Sequence, residues 1–167
     1  MIDYKEAKKL IVQSLQEWLA SKGHNCPVVR ANQTAPMPSY PYVSFTVTNP
    51  LVSNQSGYSV MEDGTRCKQM VQTWSFTVQG DNADAVQEIA LLAYDWFSLT
   101  GNTFLSDNNI VAQRVGNITN RDNLLTIEYE YRCGFDVDFL LIQKLEKADC
   151  ETAGYIETAD ITMNEEV

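Results

Sequence analysis

The chain has 167 residues, 44% of them hydrophobic, which is enough for one domain with a core of its own and too few for two comfortable ones. Its 22 acidic and 12 basic residues give a formal net charge of −10, which disfavours nucleic acid and anionic membrane as adhesive partners because phosphate binding needs clustered Lys and Arg. Residues 1–9 are charged with no apolar core behind them, and no run of ~18 apolar residues occurs, so neither secretion nor a membrane span is expected and the protein reads as soluble inside the cell that makes it.

In chain order, Asp3 and Glu6 resemble a capping box, and Tyr4, Ala7, Leu10, Ile11, Leu15, Trp18 and Leu19 recur at helical spacing, so a helix is predicted over 3–22, with Gly23 as its stop. A short strand over 27–31 precedes a proline-rich loop, 35–42, whose prolines lack amide donors. A strand follows with Val43, Phe45 and Val47 facing in. The segment 49–69 is polar and rich in turn formers, with Asp63-Gly64 the strongest hairpin signal in the sequence, so a protruding β-hairpin is expected there. Its returning arm enters a clean alternation with Trp74, Phe76 and Val78 inward. A second helix starts near Asp81 and Asp84 and gathers Val86, Ile89, Ala90, Ala93, Trp96 and Phe97 on one face. A turn at 106–109, a strand over 110–118 and a turn at 120–123 lead to the longest periodic run of the chain.

In that run Leu125, Ile127, Tyr129, Tyr131, Cys133, Phe135, Val137 and Phe139 are apolar at every odd position, with Glu128, Glu130, Arg132, Gly134, Asp136 and Asp138 among the even ones. This is the period of a strand with one buried and one wet face. At ~3.3 Å per residue the run spans roughly 50 Å, more than a small domain covers, so it must bend, with Gly134 the expected place, or protrude toward a partner. The predicted order is α-β-β-β-α-β-β: an α+β fold with a mainly antiparallel (mixed) β-sheet and two α-helices packed on one face. Residues 1–147 form the domain, and 148–167 read as an acidic C-terminal tail or arm.

No residue pattern calls for catalysis. Glu128 and Glu130 share a strand face, as paired carboxylates can, but with no cleft indicated they read as a solvated face or subunit interface. His24 near Cys26 has no third group to orient it. Asp81-Asn-Ala-Asp84 has Val86 where a calcium loop requires glycine, and reads as a helix cap. The four cysteines, Cys26, Cys67, Cys133 and Cys150, form no C-x-x-C pair and read as reduced thiols. Phosphate-loop, dinucleotide, zinc-protease and serine-hydrolase motifs are missing. The sequence therefore predicts no catalytic, metal or cofactor residue, and a non-enzymatic domain built for association.

Four stretches carry a resemblance: 31–45, with Ala35-Pro-Met-Pro-Ser-Tyr-Pro-Tyr42; 62–66, Glu62-Asp-Gly-Thr-Arg66; 72–79, Gln72-Thr-Trp-Ser-Phe-Thr-Val-Gln79; and 113–137, which includes Asn120-Arg-Asp-Asn123 and Glu128-Tyr-Glu-Tyr-Arg-Cys-Gly-Phe135. Across most of 1–145 the chain resembles bacteriophage neck proteins related to tail terminators. The resemblance implies a hexameric ring at the head-proximal end of the tail that stops growth of the tail tube, docks the filled head and lets DNA pass through its lumen without specific binding. Implied partners are further copies of the chain, the tail tube protein, head-proximal connector proteins and, in a contractile tail, the sheath. Such a protein is made in the host bacterial cytoplasm and ends in the virion neck. The expected inter-subunit residues are Tyr58, Asp63, Gly64 and Arg66 on the hairpin and Tyr129, Tyr131 and Arg132 on the long strand, with Glu128 and Glu130 as lumen-facing residues. Another head-tail completion protein, a monomeric binding module and a small hydrolase are the alternatives.

Overall fold

The computed structural model describes residues 4–52, 57–124 and 129–145. Helix α1, Tyr4–Ser21, buries Ala7, Ile11, Leu15 and Leu19, one residue per turn on a single stripe. Strand β1, Val28–Arg30, then runs parallel to β2, Tyr42–Val52, while β2 pairs antiparallel with β4, Arg66–Gly80. The short β3, Tyr58–Val60, folds back on the start of β4 and forms the predicted hairpin. Helix α2, Ala83–Asp95, starts at Asn82, whose Oδ1 accepts from the Asp84 and Ala85 amides, so the predicted Asp81–Asp84 cap is present with Asn82 as the capping residue. A π-helical turn, Trp96–Thr100, and helix α3, Asn102–Asp107, follow. Six residues are too few for a helical period to show, which is why α3 is not visible in the sequence.

Strand β5, Ile110–Val115, stops short of the predicted 118; β6, Thr119–Asn120, and β7, Asn123–Leu124, then pair with β8, Tyr129–Leu145. The main sheet order is β1-β2-β4-β8-β5, antiparallel except at its β1 edge. The fold is thus the predicted α+β class with a mixed, mainly antiparallel sheet.

Alternation along three central strands turns Val43, Phe45, Trp74, Phe76, Val78, Cys133, Phe135, Val137 and Phe139 into one apolar face, buried with the stripes of α1 and α2. Phe76 lies at its centre, with ring centroids of Phe97, Phe135 and Phe45 at 4.9, 6.0 and 6.3 Å. Trp18 stacks on Trp96 at 5.4 Å and donates its indole N–H to the Leu92 carbonyl, joining α1 to the end of α2.

The long strand runs farther than expected. Residues 125–128, Glu128 included, lie outside the described residues, and the strand continues past Phe139 to Leu145, paired with β4 throughout. No register shift marks Gly134, which sits opposite Thr77. What the glycine provides is room: a Cβ there would stand 2.6 Å from the Phe76 carbonyl oxygen and 2.7 Å from the Arg121 guanidinium.

Candidate functional site

The functional candidates gather at the two ends of the β4–β8 ribbon and on the sheet face turned away from the helices. At the first end, the hairpin reaches past the core: β3 is exposed throughout, and Arg66, Lys68 and Gln69 of β4 are exposed too. Its turn is held by the Met61 amide on the Thr65 carbonyl, the Gly64 amide on the Met61 carbonyl and the Thr65 amide on Asp63 Oδ1. Gly64 adopts φ 83°, a left-handed conformation that favours glycine. The Thr65 amide holds the Asp63 carboxyl below its ordinary range. Asp63 and Gly64 therefore shape the turn. Arg66 lies over the Tyr58 ring at 5.0 Å, and Tyr58 and Val60, with Met61, are exposed apolar side chains that the polarity of the segment did not signal.

At the other end, Tyr129 and Tyr131 pack with ring centroids 4.8 Å apart, and Tyr129 donates to Asp122 Oδ2. The Arg132 amide donates to Asp122 Oδ1 at 2.7 Å and holds that carboxyl below its ordinary value. The structure thus divides the seven predicted interface residues into two groups, about twelve strand residues or roughly 40 Å apart.

Glu130 corrects the reading of the even-numbered face as wet. It is 3% exposed, with Oε1 accepting from the Tyr40 hydroxyl at 2.7 Å and Oε2 paired with Arg132. Tyr40 comes from the proline-rich loop, 90 positions away, so no local pattern shows that this loop covers the strand. The hydrogen bond to Glu130, more than burial, pushes the Tyr40 phenol up to about 12. Farther along the same face, Arg121 donates to Ser75 Oγ, Thr77 Oγ1 and Asp136 Oδ1 at 2.8, 2.9 and 3.1 Å. Burial would raise the Asp136 carboxyl, but bonds from Ser75 and Arg121 outweigh it and hold the group below its ordinary value.

Beside Arg121 lies a cavity of about 660 Å³ lined by hydroxyl and amide side chains of β2 and β4, by part of the proline-rich loop and by Arg30, Arg121 and Arg132. Sequence reasoning did not find it, because its lining comes from five separated segments. Elsewhere, burial pushes the Cys26 thiol up to about 12, unsuited to a nucleophile, and His24 faces Glu88 at 3.6 Å. Among the described residues no group of three or more His, Cys, Asp or Glu gathers to hold a metal ion, and no helix is long and apolar enough to cross a membrane.

The family model described as phage neck terminator protein matches residues 9–166, nearly the whole chain. The chain belongs to that family. It is therefore a structural protein of the phage neck and a component of the virion, in a family that is not an enzyme class. Comparison with curated proteins finds no match.

Proposed function

We propose that this neck protein assembles head to tail into a closed ring of six, which caps the tail tube, presents a docking face to the filled head and leaves a lumen for the genome. The observation that carries the reading is the separation of two dissimilar sets of side chains at the two ends of one β-ribbon. A head-to-tail ring requires two different surfaces on each subunit, and the apolar hairpin at one end of β4–β8 and the tyrosine cluster at the other meet that requirement. In this reading Tyr58 and Arg66 meet Tyr129, Tyr131 and Arg132 of the next copy. The net charge of −10 suits a channel past which DNA slides without sticking. Glu130, covered by Tyr40 in the subunit, reaches the lumen only if that loop moves on assembly. The tube protein, head-proximal neck proteins and, in a contractile tail, the sheath are the partners.

Negative-stain microscopy and mass photometry of the purified protein test this: six-membered rings are expected, and a monomer at high concentration would refute it. In phage, deletion of the gene should leave full heads and tails that do not join, with tubes of abnormal length. Infectious particles with normally joined tails would exclude the neck-capping role.

A further inference from the structure

The cavity on the sheet face contains an unmet bonding requirement. Gln79 lines it, is 7% exposed and donates through Nε2 to Ser44 Oγ at 2.9 Å, while its Oε1 has no hydrogen-bond partner among the described residues. A buried acceptor left unpaired is destabilising, so a donor laid into the cavity would gain at this position. Along the same face the Ser44, Ser75 and Thr77 hydroxyls are engaged by Gln79 and Arg121 but keep acceptor capacity, and the Thr46 hydroxyl adds a donor, which suits an extended peptide backbone. The lining includes three arginines and no Asp or Glu. Arg121 and Arg132 are already paired with Asp136 and Glu130, whereas Arg30 is exposed and makes no ion pair among the described residues.

We infer that this cavity receives the C-terminal segment 148–167 of the same chain, from the same subunit or a neighbouring copy. That segment has six carboxylate side chains, no Lys or Arg, and Tyr155, Ile156 and Ile161 to set against Pro36 and Met37 on the cavity wall. Its reach is sufficient. The described strand ends at Leu145, and the cavity lies level with Gly134 and Thr77, eleven residues or roughly 36 Å back along β8. The 22 residues after Leu145 span up to roughly 70 Å when extended. A nucleic-acid backbone is a poorer occupant, because a phosphate track needs clustered Lys and Arg and the lining offers Arg30 with Arg121 and Arg132 already paired, whereas the C-terminal segment is tethered and brings apolar side chains as well as charge. The inference does not rest on ring formation.

The test places a benzophenone photocrosslinker at Gln33, an exposed residue of the cavity lining, in the full-length chain, followed by trypsin and mass spectrometry. Lys147 is the last basic residue, so the C-terminal segment is released as one peptide, 148–167. That peptide should dominate the crosslinked products. Its yield should fall about two- to five-fold with Arg30→Glu and in wild-type protein at high salt, the range of a partly screened ion pair. Products dominated by other peptides, or a yield on 148–167 that neither Arg30→Glu nor salt lowers, would overturn the proposal.

Discussion

Gly134→Ala probes the close approach of Arg121 to the sheet. The added Cβ would meet the Phe76 carbonyl oxygen at 2.6 Å and the Arg121 Nη1 at 2.7 Å, so the β4–β8 ladder must part and the guanidinium must also withdraw. Parting the ladder is overpacking at the centre of the fold and costs ~1–3 kcal/mol. Withdrawal loses the bonds to Ser75 and Thr77, each ~0.5–1.5 kcal/mol. The Arg121–Asp136 ion pair, with side chains 32% and 50% exposed, adds little. The net expectation is about 3 kcal/mol, which for a chain of this size lowers Tm by about 6–12 °C. Urea denaturation followed by tryptophan fluorescence measures it, with Arg121→Ala and the double variant completing a cycle. Because the methyl group of the Gly134→Ala variant already displaces the guanidinium, Arg121→Ala should cost about 1 kcal/mol less in that background. A Gly134→Ala loss below about 0.5 kcal/mol, or strictly additive substitutions, would show that Arg121 does not depend on this glycine.

Tyr40 supplies a pH signature. Its folded-state phenol, pushed up to about 12, lies above the ordinary value of 10, so its hydrogen bond to Glu130 is fully stabilising below pH 10 and is lost as pH rises toward 12. Spectrophotometric titration should show a tyrosine ionising near pH 12, besides the upward-shifted Tyr42 and Tyr129, that Glu130→Gln brings back toward 10; no change would exclude the bond. Tyr58→Ala and Val60→Glu, both at side chains 60% exposed, should abolish rings while leaving subunit stability within about 0.5 kcal/mol by denaturation, and intact rings would remove the hairpin from the interface. Cys26 should resist alkylation at about pH 8 in the folded protein and react once urea unfolds it, as peptide mapping would show. Rapid native-state labelling would contradict its burial.

Much of the framework was legible without coordinates. The four-residue spacing from Ala7 to Leu19 and the alternation through Trp74–Val78 and Cys133–Phe139 each reveal an apolar face, because helix and strand periods are local and burial selects one side of them. The hairpin turn was legible for the same reason, since Asp63 and Gly64 meet its geometric demand within three residues. The polar sheet face was not. Glu130 and Asp136 occupy equivalent even positions of one strand, yet Tyr40 covers the first while Arg121 reaches over Gly134 to the second. Those contacts join residues 90 and 15 positions apart, and the cavity joins segments from Val29 to Arg132. Period reports which way a side chain points, whereas what covers it depends on chain closure over long separations, to which no local pattern responds.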